Sequence, residues 1–180
     1  MRLTYTIEFY SYWHCGSGLS AGGDTDALVI KDNNGLPFLP GKTLKGLLRD
    51  SCTTLLELKG DSSQAAISRI FGMPAGNPAG SAFFSNATIN HREYDTILNK
   101  KLAKYLYTGL AFTKIEDGIA KDMSLRRMEV TVPCRLHGSI DGVSETDYEL
   151  LAQGLKMIKR IGTDRNRGLG RCNIIIEKEA

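Results

Sequence analysis

A turn-rich approach followed by an amphipathic helix, residues 35–59, constrains the fold of this 180-residue chain more than any other stretch. The first seven of these residues include two prolines and two glycines. Proline fixes φ and glycine adopts conformations that other residues avoid, so the approach is expected to be tight and irregular. We predict a helix with Thr43 as its N-cap, ending near Lys59 because Gly60 follows.

The predicted helix has two faces of different chemistry. Five leucines share the face that is expected to pack in the core: Leu44, Leu47, Leu48, Leu55 and Leu58. Lys42, Lys45 and Arg49 follow the spacing i, i+3 and i+7 and fall together on another face. The free amides at the helix N-terminus favour an anion. An ordinary amphipathic helix with a solvated basic face has the same spacing, so other parts of the chain must decide between the two interpretations.

Composition and charge leave the class of protein open. A hydrophobic content of 42% and a charged content of 24% are typical of a soluble globular protein, and residues 1–180 have the length of a single domain. The net charge of +3 does not by itself indicate nucleic-acid binding. The basic residues are nevertheless clustered, at residues 42–49, 100–104, 126–127 and 156–171.

The four cysteines lack the CxxC spacing of zinc sites and redox pairs: Cys15, Cys52, Cys134 and Cys172. Three of them fall at apolar positions of predicted elements, which favours reduced core thiols and a cytoplasmic location. The sequence has no signal-peptide pattern, and no apolar run approaches membrane-spanning length. We therefore expect no membrane partner.

Hydrophobic periodicity predicts the order of the remaining elements. Period-two alternation predicts four strands, at residues 3–9, 81–89, 128–136 and 172–177. A second long helix is expected to begin after Ser144. This order predicts an α+β fold of the ferredoxin-like or RNA-recognition-motif type, βαββαβ, with two helices on one face of an antiparallel sheet.

Two loops of this predicted fold are unusually long. The first βα connection is glycine-rich, and an insertion separates the two central strands. Within the insertion, residues 97–106 carry a weak helical pattern, and residues 113–123, centred on Asp117-Gly118, are typical of a hairpin. Long loops on a compact scaffold are more often functional than accidental.

Three motifs, in this order and at these separations, resemble those of the RAMP superfamily of CRISPR-associated proteins. Residues 39–46 (LPGKTLKG) match the family's PGSSLKG pattern, with Lys-Thr where Ser-Ser is commoner. Residues 162–171 (GTDRNRGLGR) match its C-terminal glycine-rich loop, with Thr-Asp where further glycines often occur. Residues 21–32 are similar to the loop of the backbone subunits of type III effector complexes. Residues 12–18 resemble type III members, including III-D-like ones.

The resemblance implies a backbone subunit that grips the phosphates of a guide RNA without reading bases. Copies of such a subunit assemble head-to-tail and together with other CRISPR effector subunits. Close, sequence-independent contact with RNA needs backbone amides, small residues and a few cations. The residues implied to bind RNA are Lys42, Lys45, Arg49, Gly162, Arg165, Arg167, Gly168, Gly170 and Arg171. A simple turn with solvated arginines is the alternative for the C-terminal loop.

The resemblance also implies that an aspartate in the first loop cleaves target RNA. Asp26 occupies the matching place counted back from residues 29–32, and Asp24 is the alternative. A carboxylate there can hold a divalent cation, expected to be Mg²⁺, that positions and activates the attacking 2′-hydroxyl, with waters and RNA oxygens completing its shell. His14 is a candidate acid or base and, alternatively, a structural residue at a strand end. A turn-forming or solvated role remains the alternative for both aspartates.

The insertion near residues 107–127 is similar to the family's thumb, a β-hairpin that wedges between guide and target; a plain connecting loop is the alternative. Three functions remain open from the sequence. They are a metal-dependent endoribonuclease active within the complex, a non-catalytic structural RNA-binding subunit, and a free-standing RNA-recognition domain. The aromatic residues that the third would need on its central strands are absent.

Overall fold

The computed structural model describes residues 1–22, 25–60, 64–73 and 78–177. The helices are α1 (Gly41–Leu58), α2 (Ala65–Phe71), α3 (His91–Asn99) and α4 (Glu145–Met157). The strands are β1 (Leu3–Phe9), β2 (Phe83–Phe84), β3 (Tyr107–Phe112), β4 (Ile115–Glu116), β5 (Ile119–Ala120), β6 (Arg126–Thr131), β7 (Arg135–Asp141) and β8 (Cys172–Glu177). Within the described residues, no helix is both long enough and apolar enough to cross a membrane.

The main sheet has four antiparallel strands in the order β2-β7-β1-β8. Alternate residues of β1 are at most 3% exposed and form its inner face: Leu3, Tyr5, Ile7 and Phe9. These side chains share one hydrophobic core with buried residues of α1 and α4. The architecture is therefore mixed α and β with antiparallel sheets, consistent with the ferredoxin-like type that the sequence predicts.

Helix α1 begins three residues earlier than predicted, with Pro40 rather than Thr43 at the N-cap position. The first amide of the helix, Gly41 N, donates to the side-chain oxygen Oδ1 of the remote residue Asn86 at 2.9 Å. Gly41 also lies so close to β2 that an added Cβ would be 2.2 Å from the carbonyl oxygen of Phe84. This approach, and not a local cap, fixes where the helix starts.

The core face of α1 is shorter than the leucine pattern predicts. Leu44, Leu48 and Cys52 are fully buried, but Leu58 is 76% exposed. Leu58 therefore lies on the surface of the last turn, and the prediction that it packs in the core is wrong.

The strand predicted at residues 128–136 is two strands that belong to different sheets. β6 pairs with β3, whereas β7 pairs with β1 and β2. Pro133 lies in the three-residue link between them and has no amide to donate, so the ladder cannot continue through it. The strand predicted at residues 81–89 is likewise reduced to β2, with isolated bridges at Ala87 and Thr88.

A second unit, the β3–β6 ribbon, projects from the insertion. β4 and β5 extend it as a short hairpin around the turn Asp117-Gly118, as that dipeptide predicts. Both turn residues have positive φ, 52° and 79°. Before the ribbon, α3 and a 3₁₀ turn at Ala103–Leu106 replace the single helix indicated by the periodicity.

Candidate nucleic-acid interface

The chain between β1 and α1 folds back on itself and lies along β6. Ser17 N donates to Leu28 O at 2.9 Å, and Ile30 N donates to Cys15 O at 2.8 Å. These bonds close residues 15–30 into an irregular hairpin, called the β6-packed loop below. The glycine-rich loop therefore has a defined course over the described residues, although few of its residues belong to a regular element.

Asp26 lies where the β6-packed loop meets β6. Its amide donates to Arg127 O at 2.8 Å, and its carboxylate Oδ2 accepts a hydrogen bond from Arg127 N at 2.7 Å. The side chain is exposed, and its hydrogen bond to the described residues is made through Oδ2. Asp26 is therefore an exposed carboxylate that is attached to β6 through one oxygen. Asp24, the alternative candidate, lies outside the described residues.

Glu129 of β6 fastens the β6-packed loop at four points. Its carboxylate accepts from Val29 N at 3.0 Å and from Lys31 Nζ at 2.7 Å. Its amide donates to Ala27 O at 3.0 Å, and its carbonyl oxygen accepts from His14 Nδ1 at 2.7 Å. One residue of the ribbon thus holds both sides of the loop that carries Asp26.

The segment just after β1 is anchored by Trp13, which is fully buried and stacked on Phe9 with ring centroids 4.5 Å apart. Trp13 also exchanges two main-chain hydrogen bonds with Thr131, at 3.1 and 2.8 Å. The neighbouring His14 is 3% exposed, so its ring is held between this segment and β6.

Three segments that are remote in sequence meet in a groove beside His14. They are the segment after β1, the first three turns of α1, and the turn after α4. The groove is lined in part by Gly16, Lys42, Thr43, Gly46, Gly162 and Arg165. We call it the His14 groove. It combines main-chain groups, small residues and cations, which is the chemistry that phosphate contact requires.

Two glycines of the C-terminal loop are explained by close approach to the chain's own backbone. Gly162 has φ 102°, and an added Cβ would be 2.3 Å from His14 O. Gly170 has φ 68°, and an added Cβ would be 1.9 Å from Ile161 O. Thr163 N donates to His14 O at 2.9 Å and secures the same contact. Direct RNA contact at these glycines stays a prediction.

The sequence of this chain matches the model of the RAMP superfamily over residues 6–173. The chain belongs to the RAMP superfamily. The resemblance of its motifs to this family is thereby confirmed. No curated protein matches the sequence.

Two cryo-EM structures of type III-B Cmr-beta contain chains with the same fold as this RAMP protein. One is Cmr-beta bound to cognate target RNA; its similar chain has a TM-score of 0.74 and 11% identity, with 98% of this chain and 97% of that chain covered. The other is the apo state, with a TM-score of 0.73, 13% identity, and 99% and 98% covered. At these identities the similarity shows the fold alone.

The basic residues of α1 in this RAMP protein do not all face the groove. Lys42 is exposed and lines it. Lys45 is half-buried and turned toward β2, with Nζ 5.9 Å from the ring centroid of Phe84. Arg49 is also half-buried and is not among the groove-lining residues. The three basic residues at i, i+3 and i+7 therefore do not all line the His14 groove, and only Lys42 does.

The three arginines of the C-terminal loop diverge as well. Arg165 lines the His14 groove, and Arg167 faces a second cavity below the hairpin. Arg171 lies beside Tyr10 at the end of β1. Gly168, with φ 94°, has open space around it. Together these residues outline a path across the RAMP protein rather than one cluster.

The second cavity adds cations that the sequence did not assign to a site. It is lined by Arg167 together with three basic residues of the insertion: Lys114, Lys121 and Arg126. Arg126 falls in a basic dipeptide, which was the only signal in the sequence. Glu129 was missed entirely, because a single acid on a predicted strand has no distinguishing local pattern.

A resident metal site does not fit the described donors. Among residues 1–22, 25–60, 64–73 and 78–177, no three His, Cys, Asp or Glu side chains are grouped so as to hold a metal ion. Asp26 stands alone and has already committed Oδ2 to Arg127 N. It offers a cation one carboxylate oxygen, so the other ligands would have to come from RNA and water.

Cys15 lines the same groove and carries the thiol nearest to Lys42. Burial raises the pKa of this thiol above its ordinary value, and Thr43 and Lys42 offset only part of that rise. The sulfur therefore stays protonated at neutral pH and is a poor nucleophile. This supports a packing role for Cys15.

Proposed function

We propose that this RAMP protein is a guide-RNA-binding backbone subunit of a type III CRISPR effector complex, and that Asp26 takes part in cleaving complementary target RNA. Its partners would be the guide RNA, the target RNA, other effector subunits and further copies of itself, arranged head-to-tail in the cytoplasm. In this proposal the main sheet is the βαββαβ domain of the family, and the β3–β6 ribbon with its hairpin is the thumb.

The observation that carries the proposal is the His14 groove. It unites the two family motifs, residues 39–46 and 162–171, although they are more than one hundred residues apart in the chain. One of the similar structures is Cmr-beta bound to cognate target RNA, which supports RNA as the ligand.

The groove residues account for binding without base readout. Lys42 and Arg165 supply positive charge, and the helix dipole of α1 adds a partial positive charge at its N-terminus. Phosphates carry no sequence information, so these contacts would fix the register of the RNA along the subunit. Arg167 and the basic residues of the second cavity would continue the path toward the hairpin.

For cleavage, Asp26 would act from a fixed position. Its amide and its carboxylate Oδ2 both bond to the main chain of Arg127, which holds Asp26 against β6 while its side chain stays exposed. A divalent cation bound there would position and activate the attacking 2′-hydroxyl and stabilise the charge that develops on the phosphate. Asp26 would be the cation's single protein ligand, and Arg127 would keep its carboxylate in place. The positively charged groove would hold the RNA strand.

The second candidate function is a structural RNA-binding subunit in which another protein cuts. A specific observation favours it: Asp26 already has a structural partner in Arg127 N, and the described residues contain no group of three possible metal ligands. In that case Asp26 serves only to attach the loop to β6.

The test compares wild type, Asp26→Ala and Asp26→Asn assembled on a guide RNA, with Asp24→Ala as the control. We expect a multi-copy complex by mass measurement in all four, because head-to-tail contacts grow until they are capped. Cleavage of complementary RNA at regular intervals should be stopped by chelator and lost in both Asp26 variants. Asp26→Asn keeps an oxygen for Arg127 N, so it separates loss of charge from loss of the loop attachment.

Two results would count against parts of this proposal. A wild-type assembly that never cleaves, or Asp26 variants that cleave at the full rate, would favour the structural subunit. A protein that remains monomeric and unbound on guide RNA would overturn the RNA-binding role itself.

A further inference from the structure

His14 has one ring edge committed and one edge available. Nδ1 lies 2.7 Å from the carbonyl oxygen of Glu129, and a carbonyl oxygen can only accept. Nδ1 therefore carries the hydrogen, and in the neutral ring Nε2 is a hydrogen-bond acceptor. No donor among the described residues reaches Nε2.

The available edge borders the groove. Gly16, a groove-lining residue, lies beside it, and a Cβ added at Gly16 would be 3.1 Å from Nε2. His14 is 3% exposed, so its ring cannot turn this acceptor elsewhere. The site thus presents a buried, oriented acceptor within an otherwise donor-rich groove.

An acceptor is the wrong partner for a phosphate. Phosphate oxygens only accept, and they suit the cations Lys42 and Arg165. The donor nearest to the phosphates in RNA is the ribose 2′-hydroxyl, and it is the group that distinguishes RNA from DNA. A backbone that is held by its phosphates in this groove would bring a ribose edge to the groove wall.

We propose that His14 Nε2 accepts a hydrogen bond from a ribose 2′-hydroxyl, so that the His14 groove selects RNA over DNA. This inference rests on the proposed RNA-binding function. It assigns His14 a recognition role that does not require proton transfer. Asp50 is the other acceptor side chain along the groove, and the test must separate it from His14.

The experiment measures the affinity of the whole protein for a guide RNA and for the same strand with 2′-deoxyribose. The buffer is held at about pH 8, where an ordinary imidazole is neutral. For wild type we expect the deoxy strand to bind about 2- to 10-fold more weakly per contacted nucleotide, the value of one net hydrogen bond.

Two substitutions of His14 form a matched pair. The amide of His14→Asn can reproduce the Nδ1 donor to Glu129 but has no atom at Nε2, so the preference for RNA should disappear. The longer side chain of His14→Gln can place an amide oxygen near Nε2 and should keep part of the preference. Gly16→Ala leaves the imidazole intact and crowds Nε2, so it should reduce the preference even if both His14 variants unfold.

Asp50→Ala removes the other acceptor side chain along the groove, and its preference for RNA should equal that of wild type. Loss of the preference in Asp50→Ala, with retention in His14→Asn and Gly16→Ala, would overturn the assignment. Equal wild-type binding of both strands would also overturn it while leaving the RNA-binding function in place. A wild-type protein that binds neither strand would instead refute the proposed function.

Discussion

The His14 groove and the tip of the hairpin are built from different interactions. In the groove, main-chain groups from three remote segments are joined by buried hydrogen bonds, such as Thr163 N to His14 O at 2.9 Å. At the tip, Glu116 pairs with Lys114 and Lys121 in solvent, and Ile115 and Ile119 are 68% and 73% exposed. Exposed ion pairs contribute little, so the tip depends mainly on its own turn.

This difference predicts where the chain tolerates change. Where Gly162 packs against the carbonyl of His14, the groove has no room for an added Cβ. A solvent-exposed hairpin can lose side chains without leaving a cavity. Substitutions in the groove should therefore lower the free energy of unfolding. Substitutions at the tip should affect only the binding of whatever the tip contacts.

Gly162→Ala should have the largest effect. The new Cβ would meet His14 O at 2.3 Å, and φ 102° is unfavourable for any L residue. We expect the free energy of unfolding to fall by about 3 kcal/mol or more, from the strained backbone and the overpacked contact together. Thermal and urea unfolding measure it.

Gly168→Ala is the control for Gly162→Ala, because Gly168 has a similar φ of 94° and open space around it. It should lose only about 1 kcal/mol, the cost of the positive φ alone. An equal decrease in the free energy of unfolding in the two variants would show that crowding against His14 adds nothing to the cost of the positive φ. The contrast between groove and tip would then weaken.

Glu129→Gln should have an intermediate effect, and it probes the join between the two regions. The amide can still accept one hydrogen bond from Val29 N but loses the charge that pairs with Lys31. If Asp26 cuts, a misplaced loop should slow cleavage by about 10- to 100-fold, because small displacements of a reacting group are costly. Single-turnover cleavage on assembled guide RNA measures this, and affinity for the guide should be unchanged.

Lys31→Met is the partner control for Glu129→Gln. It removes the same ion pair and leaves the bond between Glu129 and Val29 N in place. Its cleavage rate should lie between those of wild type and Glu129→Gln. A Lys31→Met rate below that of Glu129→Gln would mean that Lys31, rather than Glu129, holds the loop.

The double substitution Ile115→Ser with Ile119→Ser should have the smallest effect on stability. Both side chains are mostly exposed, so the free energy of unfolding should change by less than about 0.5 kcal/mol. Thermal unfolding of the double variant beside wild type is sufficient. A loss of more than about 1 kcal/mol, the size expected for a buried apolar contact, would mean that the tip packs on the body of the protein.

Elements with strong local signals were predictable from the sequence. The alternation at residues 3–9 gives β1, Ser144 caps α4 by accepting from Asp147 N at 3.2 Å, and Asp117-Gly118 forms the hairpin turn. In each case the residues that set the structure are neighbours in the chain. The pattern alone therefore contained the necessary information.

Features set by remote contacts were not predictable in the same way. Asn86 caps α1 from 45 positions away, and Glu129 fastens a loop about one hundred positions earlier. The apolar alternation continues through Pro133, so periodicity alone joined two strands that belong to different sheets. For the candidate site, the two motifs located the groove, but the divergence of Lys45 from Lys42 depends on how α1 is rotated against β2.

The pairing of β6 with β3 fixes the spacing of the residues that hold the β6-packed loop. Glu129 lies opposite Gly109 and Arg127 opposite Ala111, so the partners of the loop are two residues apart on one strand. Deleting one residue from β6 would exchange the two faces of the strand and turn the Glu129 carboxylate away from Val29. An insertion at the exposed turn Asp117-Gly118 would leave this spacing intact. Tags and probes for following this protein therefore belong at that turn, and changes in the length of β6 should be avoided.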